Sequence, residues 1–177
     1  MRLIPTPIPG VLQIESPEHT DERGGFRRAW CAASFAAAGV SFAPVQASLS
    51  TNPRALTLRG LHWQAGPHGE TKLVRCVAGA IWDVAVDLRP DSPTFRVWHA
   101  ARLDAASGLA LLLPPGVAHG FLSLTDGAVV SYMIDTPHHP GAARGARWDD
   151  PALGIDWPAP PQVISDRDRT WPDLSDG

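Results

Sequence analysis

The 177-residue sequence is poor in cysteine, methionine and tyrosine, with two, two and one of each, and it has no sustained apolar run. A membrane-spanning helix needs about 18 consecutive apolar residues, so no such helix is expected. Cys31 and Cys76 lie in unrelated segments without a CxxC spacing. A disulfide framework is therefore not expected, and a reducing, cytoplasmic setting fits best. There is also no basic excess: the formal net charge is −3 and the pI about 6.1. A nucleic-acid binder would carry a basic patch or stripe, so no nucleic-acid partner is expected. At the N-terminus Pro5, Pro7 and Pro9 break up the apolar residues, which leaves no helical core for a signal peptide.

What the sequence does contain is globular: 44 % of residues are apolar and 19 % charged. The length suits one domain over 1–177. Eighteen prolines and sixteen glycines punctuate short runs of Val, Leu, Ile, Trp and Thr, the pattern of a many-stranded β-protein. Strands are expected at Val45–Thr51, Leu56–Gln64, Lys72–Val77, Ala80–Leu88, Thr94–Leu103, Leu109–Leu113, Phe121–Leu124 and Ala128–Ile134. One helix is expected at Trp30–Ala38, ended by Gly39. After Pro137 the chain reads as an irregular wrap. The fold expected is all-β, an antiparallel barrel or sandwich.

Alternation along the strands indicates where side chains point. In Leu56–Gln64 it places Leu58, Gly60, His62 and Gln64 on one face and Arg59, Leu61 and Trp63 on the other. In Ala80–Arg89 it separates Trp82, Val84, Val86 and Leu88 from Asp83 and Asp87. A strand with one apolar and one acidic face suits a barrel with a polar cavity, a natural ligand site.

The segment Pro114–Phe121, PPGVAHGF, has the PxGxxH spacing of the second cupin motif, which delivers His119 to the barrel. The first motif of a metal-binding cupin would need His-x-His and a nearby glutamate. Here Gln64 replaces the second histidine and Glu70 follows it by six residues, so no metal is expected. Proton abstraction beside a ketone needs a base near neutrality, a positive group at the developing enolate oxygen and an acid to return the proton. His62, Lys72 and Tyr132 can fill those roles. Each also has a plain structural reading, as a satisfied strand histidine, an edge-strand charge and a core tyrosine.

Taken in order, DERGGFRR (Asp21–Arg28), LRGLHWQ (Leu58–Gln64), KLVRC (Lys72–Cys76), DVAVDLRPDSPT (Asp83–Thr94), PPGVAHGF, Tyr132, RWDDPALGIDWP (Arg147–Pro158) and ISDRDR (Ile164–Arg169) make the chain resemble the dTDP-4-dehydrorhamnose 3,5-epimerases. The resemblance implies a cupin jelly roll with a short N-terminal helix. It implies epimerisation at C3, C5 or both of a nucleotide-linked 4-keto-6-deoxy sugar, with no cofactor. By it, His62 is the base, Asp168 its acidic partner, Tyr132 the acid and Lys72 the enolate stabiliser. Arg23, Arg28, Gln46, Ser48, Arg59, His119, His138 and Arg167 would bind substrate. It also implies a homodimer in which N-terminal strands complete the neighbour's site. Gly25, Arg28, Ala47-Ser48 and Ala143 depart from the family's usual Phe, Glu, Asp-Asn and Glu, positions tied mostly to the nucleotide. The rival readings are a metal-dependent cupin dioxygenase or isomerase and a non-catalytic sugar-nucleotide binding module.

Overall fold

The computed structural model describes residues 1–174; the last three residues of the expected 1–177 domain lie outside them. Two sheets face one another. The first runs β1 (Arg2–Pro5), β2 (Leu12–Glu15), β10 (Ala110–Leu113), β7 (Lys72–Ala78), β12 (Ala128–Ile134), β5 (Gln46–Asn52). The second runs β13 (Ala143–Gly145), β6 (Thr57–Gln64), β11 (Val117–Ser123), β8 (Ala80–Asp87), β9 (Trp98–Asp104). β14 (Val163–Ile164) adds to β6 in parallel, while all the other pairings are antiparallel. A hairpin of β3 (Glu18–Asp21) and β4 (Gly24–Arg27) stands apart from both sheets. This is the expected all-β jelly roll.

The core follows from the alternation. Val74, Cys76, Leu111 and Val130 of the first sheet meet Ile81, Ala85, Leu103, Val117 and Phe121 of the second. Each Val, Leu, Ile or Phe side chain among them contributes about 1.5–3 kcal/mol on full burial. The opposite face of β8 is also covered: Val84 and Val86 pack with Leu61, Ala118, Ala146 and Leu153. The wrap after Pro137 therefore seals the outer side of the second sheet. It is less irregular than its composition suggests, because it contributes β13, β14 and the short helix α2 (Asp166–Arg169).

Several boundaries differ from the sequence expectation for identifiable reasons. β9 starts at Trp98 rather than Thr94 because Ser92 and Thr94 turn inward, their hydroxyls donating to the Asp87 carboxylate. β11 starts at Val117, directly after the Pro-Gly turn, rather than at Phe121. The helix α1 is shorter, Ala32–Ala37, and Gly39 follows its cap at φ 73°. β1 and β2 went unread because prolines flank them. β1 lies at the edge of its sheet, where a missing N–H costs no ladder bond.

Candidate active site

Between the two sheets, at the end bounded by β5, β6 and β12, lies a cavity of about 420 Å³. β6 supplies one wall. Its pairing with β11 sets Arg59 opposite Phe121 and His62 opposite His119, so that Gly60 and Leu61 face Gly120 alone, two residues against one, which is a β-bulge. The bulge corrects the simple alternation: Arg59 lines the cavity together with His62, while Leu61 turns outward into the covered face. Gly60 makes this possible. It has φ 123°, and a Cβ there would sit 2.4 Å from Gly120 Cα.

His62 Nε2 lies 2.6 Å from Asp168 Oδ1. The second carboxylate oxygen accepts from the Gly60 backbone N–H at 3.2 Å. Ser165 caps α2, its Oγ accepting from Asp168 N at 3.1 Å, and fixes where the carboxylate is delivered. Burial pushes the Asp168 carboxyl up, but the hydrogen bond and charge of His62 and the Gly60 N–H outweigh it and hold the carboxyl below its ordinary value. An ionised Asp168 accepts the Nε2 proton, which leaves Nδ1 as the basic nitrogen of His62.

Tyr132 comes from β12, on the facing sheet, and its hydroxyl is 3.3 Å from Ser50 Oγ. Burial pushes its phenol well above the usual value, against the opposing Ser50 hydrogen bond, so the hydroxyl keeps its proton at neutral pH. The His119 ring meets Tyr132 edge-on at 6.0 Å and 78°. Its Nε2 donates to Asp83 Oδ1 at 2.7 Å, so the acidic face read on β8 does turn inward.

Lys72, the only lysine in the chain, is ion-paired with Glu70 at 2.7 Å and donates to the His62 carbonyl at 3.4 Å. Two of its three protons are thus used and one remains. Arg59 is braced through Nε to Asn52 Oδ1 at 2.9 Å. Both cavity carboxylates are paired, while Arg59, Arg144 and Arg167 also line it. The lining suits an anionic ligand. Gln64, in the place of a metal-cupin histidine, donates to the carbonyls of His68 and Pro137 and accepts from His139 N. It ties two mouth loops together.

The cavity thus gathers His62, Lys72, Tyr132 and Asp168, together with Gln46, Ser48, Arg59, His119, His138 and Arg167. It does not gather Arg23 or Arg28. Arg23 pairs with Asp21 at the exposed hairpin turn, and Arg28 lies beside Cys31 along a separate hollow. Neither side chain lines the cavity of its own chain. Sequence reading missed Ser50, Trp63 and Arg144. Ser50 was accessible in principle, since Gln46, Ser48 and Ser50 alternate on one face of β5.

A facing pair of sheets, with a carboxylate-bound imidazole on one and a buried phenol on the other, fits a cupin-fold isomerase. The comparisons with known proteins are more specific. The family model for dTDP-4-dehydrorhamnose 3,5-epimerase matches residues 5–176. The dTDP-4-dehydrorhamnose 3,5-epimerase of Methanothermobacter thermautotrophicus is 42 % identical over 98 % of this chain and 94 % of its own. The crystal structure of the Bacillus anthracis enzyme with TDP and PPi bound superposes with a TM-score of 0.95 at 38 % identity, covering 98 % of this chain and 99 % of that one. The Legionella pneumophila enzyme in complex with dTDP-4-keto-L-rhamnose gives 0.89 at 36 % identity, covering 94 % and 89 %. The chain belongs to the dTDP-4-dehydrorhamnose 3,5-epimerase family, and it is an isomerase. Among the described residues no helix is long and apolar enough to cross a membrane.

Proposed function

We propose that the chain inverts C3 and C5 of dTDP-4-dehydro-6-deoxyglucose, giving dTDP-4-dehydrorhamnose, with the following division of labour. His62 Nδ1 removes the proton beside the C4 ketone, and Asp168 stabilises the imidazolium that forms. Lys72 places its remaining N–H on the C4 oxygen as negative charge gathers there, with Arg59 adding positive potential. Tyr132 returns a proton from the facing sheet, so the new C–H bond forms on the opposite face. Because C3 and C5 both flank C4, one enolate-stabilising group serves both inversions. His119 lines the sugar site, while Arg167, His138, Gln46 and Ser48 hold the diphosphate and nucleoside. The observation that carries the reading is the 2.6 Å His62–Asp168 pair across the cavity from Tyr132.

The finer proposals are that 1–177 acts as one domain and that it works without metal or cofactor in the cytoplasm, which suits the free thiols of Cys31 and Cys76. It forms a homodimer in which the β3–β4 hairpin carries Arg23 and Arg28 to the neighbour's cavity. The test is incubation in D2O with dTDP- and other nucleotide-linked 4-keto-6-deoxy sugars, followed by NMR. Deuterium should enter C3 and C5 of the dTDP sugar with inversion, and His62→Asn should remove exchange at both while leaving the melting curve intact. Exchange at wild-type rate in the variant would show that another group is the base.

A further inference from the structure

The wall built by β8 and β9 holds a polar pair that the mechanism above leaves unused. Asp83 is wholly buried. Its Oδ1 accepts from His119, but its Oδ2 is buried without a hydrogen-bond partner among the described residues. His99, on the edge strand β9, has the complementary defect: its Nε2 is also buried and has no hydrogen-bond partner among the described residues. The register sets Asp83 opposite Ala101 and His99 opposite Ala85, so the two are diagonal neighbours. Ala85 and Ala101 both pack in the core between the sheets, which places Asp83 and His99 on the inward face. Diagonal neighbours stand about 7–8 Å apart, with their Cβ atoms somewhat closer. A span of that size leaves room for the two side chains and one water between them, and a buried water requires polar partners on both sides. Burial lowers the His99 pKa, with the Asp83 carboxylate pulling the other way, so the imidazole is neutral at neutral pH and can donate through one nitrogen.

We propose that one buried water joins His99 Nε2 to Asp83 Oδ2, making His99 a positioning residue for the Asp83–His119 pair behind Tyr132. His99 Nε2–H donates to the water, and the water donates to Oδ2. With Oδ2 anchored, the carboxylate cannot rotate, and Oδ1 stays aimed at the Nε2–H of His119. The His119 ring is thereby held edge-on to the phenol. A side chain on the rim of the second sheet therefore sets the orientation of a group in the cavity without touching substrate. Only the consequence for turnover rests on the proposed epimerase mechanism; the water bridge itself does not.

Long-range 1H–15N spectra of the histidine rings test the bridge directly. His99→Leu should shift both ring nitrogens of His119 and speed exchange of its Nε2–H, while His99→Gln, whose amide reaches the same place, should keep wild-type values. Turnover should fall about five- to tenfold in His99→Leu, the worth of one lost hydrogen bond, and recover in His99→Gln. If the leucine variant does not fold, His99→Asn, too short to reach, should show the same shift. A high-resolution crystal structure of the wild-type protein should show one water within hydrogen-bonding distance of both atoms. Unmoved His119 signals in a folded His99→Leu, or no such water, would overturn the proposal. Moved signals with unchanged turnover would uphold the bridge and instead sink the part given to His119 in the epimerase mechanism.

Discussion

Tyr132 is the only phenol in the chain, so no neighbouring tyrosine can replace it. Its burial keeps the proton on the hydroxyl, which on the proposed roles is then taken by the carbanion of the enolate. Tyr132→Phe preserves the ring that packs against the inter-sheet core and deletes only the donor. Inverted product is expected to fall about 10²–10⁴-fold while solvent exchange persists at a carbon with retained configuration. Configuration and deuterium content read in one NMR sample decide it. Inversion at wild-type rate would mean that water or His119 returns the proton. At this scale the sequence was partly readable. His62, Lys72 and His119 declare themselves by residue type and motif. Asp168 does not: it lies in a short helix far along the chain, and only the family resemblance connects it to His62. Arg59 was assigned to the wrong face because a bulge leaves no composition signal beyond the Gly60 that permits it.

At the scale of elements, the bulge in β6 carries the site's geometry and the turn after β8 carries part of the fold's stability. In Gly60→Ala the added methyl would meet the Gly120 backbone at a φ that L side chains rarely adopt. A loss of about 2–3 kcal/mol is expected in urea unfolding. Activity should fall further than stability explains, because Arg59 and His62 would no longer share a face. The turn is held by Asp87. Burial pushes its carboxyl up, but Arg89, Ser92 and Thr94 override this and hold it far below the ordinary value. Since the folded value lies below the unfolded one, of about 3.9, the stabilisation is complete above that value and is lost as pH falls through the folded one. Asp87→Asn should cost about 1.5–3 kcal/mol at pH 7, the worth of hydrogen bonds to a charged group. Its stability should then fall less between pH 5 and 3 than that of the wild type. An equal decline in both would remove Asp87 from the acid limb. The central strands were legible from alternation, whereas β1 to β4 were hidden by the very prolines and glycines that shape sheet edges and hairpins.

For the whole molecule the notable element is the β3–β4 hairpin, which is exposed along almost its whole length. Phe26 on β4 is 69 % exposed, and Leu49 on the edge strand β5 is equally so. If two copies exchange hairpins, two inactive variants should rescue one another. Arg23→Ala combined with Arg28→Ala spoils the neighbour's cavity, and His62→Asn spoils its own. A mixed dimer then has one cavity with an intact His62 and intact arginines from its partner. Mixing the two proteins after mild dissociation should restore activity, with dimers seen by sedimentation. No recovery in demonstrably mixed dimers would sink the exchange.

The docking of β14 and α2 onto β6 has a consequence for how the protein comes into being. A chain leaves the ribosome from its N-terminus, and β1 to β12, which hold His62, Lys72 and Tyr132, are all made before Asp168. A nascent barrel could close around its cavity and still lack the carboxylate that charges and steers the base. On the proposed roles, the newborn protein is folded but silent, and chemistry begins only when the last segment lies down along β6. Stalled translation products ending before Ser165 should therefore exchange no substrate protons and, lacking Arg167 as well, should bind the nucleotide sugar more weakly than the full chain.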